Sequence, residues 1–472
     1  MAAVEARVTH DVAIVGAGVT GLVAARELAR RGRRVAVLEK WPDVGGQASA
    51  FDLGNGTYLE RYYHHLFESD QDIISLHEEL LPGALEWRRS SVGIYAGGRI
   101  WPFVGPLDLL RYGPLPLRDR VRLGLATLRL MSRSDWERMD EIPALDWLRR
   151  TCGDRAVAAV WRPLLLGKFG PDAGAVPLAW LWSKLTARRR LRGRGAAEER
   201  LGYPRDSFRP VCVRLREEIE TRTGEVLLDR AVLSVEPHDG LFRLRAAAPG
   251  AYRARPDAWR PDGTEFLART VLLTTATHTS RSLVSWPESY RRRLDDWRYR
   301  TAVVLLLELR RPLSTTYWLN IAEPEIPFLG LIEHTNFLPA ERYPARYAYV
   351  SNYVEADDPL VGLSTEELLS RFLPALARIA PGLGEGDVQR RWSFREDAAQ
   401  PIPRVGGRAR LLPYDTPVPG VFLANTTQIY PEDRGTNYSV RLGRRVADHI
   451  ERWFSARGLA PGGRVDPDVP LS

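Results

Sequence analysis

The sequence has few of the residues that build disulfide, metal or membrane-spanning structures. Only two cysteines, Cys152 and Cys212, occur among 472 residues, too few for a disulfide framework and without metal-ligand spacing. No apolar run approaches the ~20 residues that cross a bilayer. Residues 1–10 carry Glu5 and Arg7 and lack the apolar core of a signal peptide. We therefore expect a cytoplasmic protein without a metal centre, in which any membrane contact is peripheral.

Lysine is also scarce. Lys40, Lys168 and Lys184 are the only lysines among 67 basic residues, and the net charge is +8. The excess of arginine favours either compositional bias or attraction to an anionic substrate or membrane surface. The arginine-rich run 188–194 has no supporting motif around it, so we expect no nucleic-acid partner.

The N-terminal residues form a dinucleotide-binding pattern. The apolar run 12–15 predicts a strand buried on both faces, and the segment after it has helical spacing. A second buried strand, 35–38, ends at Glu39, which can bind a ribose and favours FAD or NAD over NADP. Between the two predicted strands, three glycines fit GxGxxG, the turn that lets a pyrophosphate approach the backbone: Gly16, Gly18 and Gly21.

Further along, the pattern alternates between helical and strand segments. Residues 107–200 predict helices whose leucines either pack into a helical domain or form an amphipathic patch for a membrane surface. Residues 92–103 predict a hairpin, 224–235 a pair of strands, and 365–379 a helix. The last helix follows the segment PEDRGTNYSV.

In this order, the pieces resemble the FAD-dependent superfamily of amine oxidases, protoporphyrinogen oxidases and phytoene-type desaturases, with UDP-galactopyranose mutases more distant. The resemblance rests on the N-terminal motif, a Gly45-Gly46 turn, the strands near Val232 and 270–276, and the GTNYSVRLGRRVA end. It implies an α/β fold, a Rossmann-like FAD-binding domain of the GR2 type with a discontinuous α+β substrate domain. We assign residues 8–80, 206–285 and 416–455 to the first domain, 81–205 and 286–415 to the second, and 456–472 to a loose tail.

The resemblance also implies the residues that hold FAD. The family often has Arg where this chain has Gln47, and Gly-Asp or Gly-Glu where it has Ala424-Asn425, so two charges near the phosphates are missing. The last helix is expected to point its N-terminus at the flavin ring. The implied set is Gly16, Gly18, Gly21, Glu39, Lys40, Gly45, Gly46, Gln47, Val232, Thr275, Asn425, Gly435, Thr436, Asn437 and Tyr438.

Candidates for the chemistry are polar residues in apolar surroundings. His64 and His65 lie among aromatic residues, and each is either a base or contact near the flavin or a structural histidine. The resemblance implies that Lys168 holds a water near the flavin, as a lysine does in some relatives; otherwise it is a helix-end cation. His334, in the segment IEHTN, is expected to line the pocket, and Arg434 to bind an anion or substrate.

These features favour an FAD-dependent oxidoreductase, an oxidase or desaturase acting on a small organic or prenyl-type substrate. Because the chain has no second GxGxxG motif, the substrate itself is expected to reduce the flavin, with oxygen or another acceptor reoxidising it. Two alternatives stay open. One is a flavin-dependent sugar-nucleotide mutase, supported by the Glu333-His334 pair; the other is an FAD-less prenyl-escort-type binding protein. The oligomeric state is left open.

Overall fold

The computed structural model describes residues 9–54, 56–189, 200–253 and 258–462. The predictions for residues 1–8, for the arginine run beyond residue 189 and for the tail beyond residue 462 lie outside this part of the chain. The strands are β1 (Thr9–Val15), β2 (Val35–Leu38), β3 (Ala50–Asp52), β4 (Tyr58–Glu60), β5 (Leu66–Phe67), β6 (Leu85–Arg89), β7 (Val92–Ala96), β8 (Arg99–Pro102), β9 (Arg200–Pro204), β10 (Gly224–Leu227), β11 (Val232–His238), β12 (Leu241–Ala247), β13 (Pro261–Leu273), β14 (Tyr299–Leu309), β15 (Trp318–Ile321), β16 (Gly330–Glu333), β17 (Arg346–Val354), β18 (Val388–Pro401) and β19 (Val421–Leu423). The helices are α1 (Val19–Arg30), α2 (Gln71–Leu80), α3 (Pro106–Arg111), α4 (Leu117–Met131), α5 (Trp136–Met139), α6 (Ala144–Cys152), α7 (Asp154–Ala156), α8 (Arg162–Phe169), α9 (Leu178–Arg189), α10 (Arg209–Glu220), α11 (Thr277–Leu283), α12 (Glu288–Asp295), α13 (Pro359–Gly362), α14 (Thr365–Ile379), α15 (Gly407–Arg410) and α16 (Thr436–Ala456).

A seven-stranded sheet carries the N-terminal motif. Its order is β10-β2-β1-β13-β12-β11, and β19 pairs with the end of β13. The strands around β1 are parallel, whereas β12 runs antiparallel to both of its neighbours. Helices cover this parallel part, which explains why Val12 to Val15 and the whole of β2 are apolar and buried. The predicted Rossmann-like α/β fold is confirmed.

One prediction for this sheet is wrong in its pairing. Residues 224–235 contain two strands, as expected, but β10 joins β2 at one edge while β11 pairs with β12 at the other. The apolar alternation predicts the strands correctly. It carries no information about pairing, which the rest of the sheet decides.

A second sheet forms the other half of the molecule. Its order is β18-β14-β17-β16-β15-β7-β8, and every residue of β14 except Tyr299 is buried. The predicted hairpin at 92–103 is present as β7 and β8, with Gly97 and Gly98 at positive φ in the turn. The predicted helix 365–379 is α14. Both sheets draw on segments far apart in the chain, although the domain boundaries proposed above stay predictions.

The leucines of the helical segment divide between two environments. Leu123 and Leu130 of α4 are buried, as a helical domain requires, but Val121, Leu125 and Leu128 are exposed. Within the residues described, no helix is long and apolar enough to cross a membrane.

The first and last helices of the first sheet pack at very short range. A Cβ atom added at Gly443 of α16 would lie 2.7 Å from the carbonyl oxygen of Thr20 and 2.9 Å from Cβ of Val23, both in α1. Two helices that are more than 400 residues apart in sequence therefore meet at a contact that only glycine permits at this spacing.

We predict that Gly443→Ala lowers the free energy of unfolding by about 1–3 kcal/mol, because the added methyl forces α1 and α16 apart. Gly124→Ala, in the middle of α4, is the matched control, since its nearest neighbour is Leu109 Cδ2 at 3.5 Å. This control should gain roughly 0.5–1 kcal/mol from helix propensity. Chemical denaturation of both variants measures the difference, and equal stability would contradict the close contact.

Candidate functional site

Two glycine turns touch at the carboxyl end of β1. Gly16 has a φ of 109°, and a Cβ atom on Gly21 would lie 2.1 Å from the Gly16 carbonyl oxygen. In the second turn, Gly45 and Gly46 have φ values of 112° and 56°, and a Cβ on Gly46 would lie 3.0 Å from Cα of Gly18. A Cβ on Gly18 itself would meet only Gly46 Cα, at 4.0 Å. Gly18 therefore borders open space that a side chain would fill.

This open space lies at the N-terminus of α1. In the part of the chain that the structure describes, no side chain caps this helix, and no acidic residue occupies its first turn. The free N–H groups and the positive end of the helix dipole are therefore available to an anion.

Glu39 lies beside this turn and is anchored to it. Its carboxylate is buried at the end of β2 and accepts hydrogen bonds from the backbone N–H groups of Ala17 at 2.7 Å and Trp41 at 3.0 Å. Burial raises the pKa of Glu39, and the two N–H donors oppose that shift. Its neighbour Lys40 is exposed. The acid is thus rigidly placed next to the glycine turn.

Other predicted cofactor residues lie on neighbouring strands. Asn425 follows β19, and its Nδ2 donates to the carbonyl oxygen of Thr275, which follows β13, at 2.9 Å. Val232 is buried at the start of β11. Gln47 donates to the Ala398 carbonyl at 3.0 Å and faces the central cavity. The predicted set therefore surrounds the carboxyl edge of the first sheet.

The N-terminus of α16 also lacks a cap among the described residues, and its first turn carries no acid. The structure gives Asn437 a second role, because its Oδ1 accepts from the N–H groups of Asp72 at 2.9 Å and Ile73 at 3.2 Å and so caps α2. The four residues predicted at this helix end all line the cavity: Gly435, Thr436, Asn437 and Tyr438.

The cavity has a volume of about 490 Å³ and lies between α8, α9, the second sheet and the start of α16. Most of its wall is apolar or aromatic. Representative wall residues are Leu164, Leu165, Leu181, Leu185, Val304 and Trp318. Such a wall suits a largely apolar organic molecule.

Charged groups gather at one side of the cavity around Asp433. Nζ of Lys168 and Nζ of Lys184 each lie 2.5 Å from Oδ2 of Asp433, while Gln400 Nε2 donates to Oδ1 at 3.0 Å. Burial opposes ionisation of Asp433, yet the two ammonium groups and Arg434 hold its pKa well below the usual range. Burial lowers the pKa of Lys168, and Asp433 opposes that shift. Asp433 therefore pairs with both lysines and favours its ionised form.

Arg434 reaches the cavity from the residue before Gly435. Its Nη2 donates to Oη of Tyr353 at 2.5 Å, whereas its buried Nε has no hydrogen-bond partner within the described structure. The unsatisfied donor can bind a ligand oxygen.

The two adjacent histidines also line the cavity. Nδ1 of His64 lies 2.6 Å from the Tyr62 carbonyl, to which it donates, so that Nε2 is the free acceptor of the neutral ring. Burial lowers the pKa of His64 to about 4. Nδ1 of His65 lies 3.0 Å from Oη of Tyr317. His64 is thus neutral at physiological pH and suited to accept a hydrogen bond at Nε2.

His334 is placed elsewhere. It does not border the cavity, and its Nε2 lies 2.7 Å from Oη of Tyr343 within a cluster of tyrosines. Burial lowers its pKa to about 3. The carboxylate of Glu333 is also engaged in structural hydrogen bonds, since it accepts from the N–H of Leu313 at 2.8 Å and from Ser314 Oγ at 2.6 Å. The expectation that this segment lines the pocket is therefore not met.

Sequence reasoning missed Lys184, Gln400 and Tyr353 as members of the site. One signal was available for Lys184: the chain uses arginine for nearly all of its basic residues, so each of its three lysines is unusual. No local pattern marks Gln400 or Tyr353, because each comes from a strand of the second sheet.

Comparison with known proteins places this geometry in a family. The family model described as flavin containing amine oxidoreductase matches residues 19–450. The chain belongs to this family. Its structure is similar to that of a protein assigned as a protoporphyrinogen oxidase from Exiguobacterium sp. 255-15, with a TM-score of 0.72, 19% identity and coverage of 94% of this chain and 99% of the other. Reduced UDP-galactopyranose mutase matches with a TM-score of 0.71, 15% identity and coverage of 94% and 96%. Because both identities are below 25%, these similarities show the fold alone.

A curated relative matches by sequence over a shorter region. The carotenoid phi-ring synthase of Streptomyces griseus is 34% identical over 174 residues, which cover 31% of this chain and 32% of that protein. The chain spans about a third of the length of the curated relatives it matches.

FAD is the cofactor of this chain, and the described residues fit it. Gly18 and the uncapped start of α1 form a cradle for the pyrophosphate, and Glu39 is anchored where the ribose of the adenosine half would lie. The uncapped start of α16 and the unsatisfied Nε of Arg434 face the cavity and suit the polar edge of the flavin. The individual roles of the predicted residues stay predictions.

We predict that Gly18→Val weakens FAD binding at least about tenfold, a loss of about 1.4 kcal/mol or more, because the side chain fills the cradle. The fold should persist, since only Gly46 Cα lies within 4 Å of the added Cβ. Gly384→Val is the control, a glycine in extended backbone before the short 3₁₀ turn Glu385–Asp387, with no neighbour within 4 Å of its Cβ. The flavin-to-protein absorbance ratio reads out binding, and an unchanged ratio in Gly18→Val would exclude this cradle.

We also predict that Asp433→Asn destabilises the protein by about 3–5 kcal/mol, because it removes the buried carboxylate that pairs with the partly buried Lys168 and Lys184. The double variant Asp433→Asn/Lys168→Met should recover part of this loss by removing one cation. Urea denaturation of both variants measures the effect. A loss of about 1 kcal/mol or less in the single variant, as for exposed ion pairs, would contradict the account.

Proposed function

We propose that the protein is an FAD-dependent oxidoreductase, an oxidase or desaturase, that oxidises a largely apolar organic substrate of small or prenyl type. The observation that carries the proposal is the apolar cavity of about 490 Å³, whose wall includes the start of α16. When bound, FAD supplies a two-electron acceptor for a hydride from the substrate.

The cavity residues support this reaction by position and charge. The apolar side chains of α8 and α9 exclude water and hold the substrate by burial. Arg434 can bind a ligand oxygen atom through its unsatisfied Nε, and neutral His64 can accept a hydrogen bond at Nε2. Asp433 holds the ammonium groups of both lysines in place, so that two positive charges stay beside the cavity.

The mutase alternative loses its specific support. The Glu333-His334 pair that suggested it lies away from the cavity and is occupied by structural hydrogen bonds. A nucleotide sugar is strongly polar, which the apolar wall does not match. The intact glycine cradle disfavours an FAD-less escort protein.

The sequence-based expectation of a cytoplasmic protein is kept as part of this proposal. Cys152 and Cys212 are both free and buried, which suits a reducing compartment.

The test is an anaerobic titration of the FAD-loaded protein with amines, polyprenoids, porphyrinogens and sugar nucleotides. We predict that an apolar member of this panel bleaches the oxidised flavin absorbance, and that air or another acceptor restores it. Turnover of a nucleotide sugar only after dithionite reduction would replace the proposal with the mutase. Protein that takes up no FAD on reconstitution would refute both.

A further inference from the structure

Large apolar side chains are exposed to solvent on two helices that contact each other, α3 and α4. In the described part of the chain, large exposed apolar side chains are concentrated there; Leu117, Leu125 and Leu128 are 62%, 62% and 64% exposed. The face, here named the α4 face, consists of Leu107, Leu110, Leu117, Val121, Leu125 and Leu128.

The spacing within α4 makes this face a stripe. At about 100° per residue, Leu117, Val121, Leu125 and Leu128 fall within about 80° of arc. Buried Leu123, Ala126 and Leu130 lie on the opposite side, whereas buried Met131 lies beside the Leu117 edge of the stripe. The helix therefore has two separate apolar surfaces, and the protein covers only one of them.

Arginines border the stripe. With Leu117 placed at 0°, Arg118 and Arg129 lie at about 100–120° around the helix, next to the stripe. Both are exposed, and neither forms an ion pair with a described residue. Arg122, also on this border, donates to the carbonyl oxygens of Thr151 and Arg150. The border thus carries positive charge that the protein leaves uncompensated.

The acidic residues of this segment do not offset that charge. Residues 104–135 contain six arginines and three aspartates, and Asp135 pairs with Arg133 at 2.8 Å. Asp108 accepts hydrogen bonds from the N–H groups of Val104 and Gly105, and buried Asp119 pairs with Arg155 at 3.1 Å. The exposed charge beside the stripe is therefore basic.

We propose that the α4 face docks the protein on an anionic lipid bilayer, with α4 lying in the plane of the interface. An apolar stripe bordered by arginine is the pattern of interfacial helices, which bury their apolar face among the acyl chains and attract anionic headgroups. A symmetric dimer through this face is disfavoured because it would bring the arginine borders of two copies together. The charge of the border favours a lipid of opposite sign.

The experiment is co-sedimentation of the FAD-loaded full chain with vesicles of phosphatidylcholine alone or mixed equally with phosphatidylglycerol. The wild-type protein should sediment with the mixed vesicles, much less with the neutral ones, and less as salt increases. Leu125→Ser/Leu128→Ser should weaken binding about tenfold or more, because it removes two apolar anchors.

Charge is tested separately with a matched pair of variants. Arg118→Gln/Arg129→Gln should weaken binding to mixed vesicles about 30-fold, from about 1 kcal/mol for each arginine. Arg291→Gln/Arg292→Gln also removes two positive charges, from exposed residues of α12, and should leave binding nearly unchanged. An unaltered flavin content and melting temperature show that each variant is folded.

Three results would overturn the proposal. The first is wild-type protein that stays in solution with mixed vesicles. The second is an equal loss of binding in the two arginine pairs, which would make net charge the cause. The third is a dimer in sedimentation velocity that Leu125→Ser/Leu128→Ser converts to monomer, which would make the face an interface between copies of this chain.

Discussion

The structure depends on the close approach of three chain segments at one edge of the first sheet. The turn after β1, the Gly45-Gly46 turn and the α1–α16 contact at Gly443 each bring backbone to distances that a Cβ atom would prevent. Together they align two uncapped helix N-termini with the same region of the molecule. Because helix N-termini attract negative charge, one of them suits the pyrophosphate of FAD and the other suits the polar edge of its flavin ring.

The substrate side is organised by a different constraint, the burial of charge. Asp433 lies in a largely apolar wall, and the two lysines that contact it, together with Arg434, hold its pKa low against the effect of burial. The cluster joins α8, α9 and the segment before α16, so the same ion pairs that satisfy Asp433 also fix two helices to the segment that leads into α16. Stability and the charge of the cavity are therefore linked.

The parts of the site that were predictable from sequence are those set by local backbone conformation. Gly16 and Gly45 need positive φ, and Glu39 follows its strand directly, so a short motif identifies them. The side chains around the cavity come together through tertiary packing, and the sequence gives no distance between them. His334 was therefore placed in the pocket wrongly, and Lys184 was overlooked although it contacts Asp433.

The helical segment shows the same limit in another form. Periodicity predicted α4, but a helix with apolar residues on two sides leaves open which side the protein covers. The structure shows that Leu123 is covered and Leu125 is not. Likewise, alternation predicted the strands at 224–235, whereas their positions at opposite edges of the sheet depend on every other strand.

An experimental structure of the protein with FAD bound tests the central claim most directly. The account predicts electron density for the pyrophosphate beside Gly18 and the start of α1, the ribose near Glu39, and the flavin ring in the cavity next to the start of α16. Density for the ring outside the cavity, or a cofactor held without contact to the glycine turn, would contradict it.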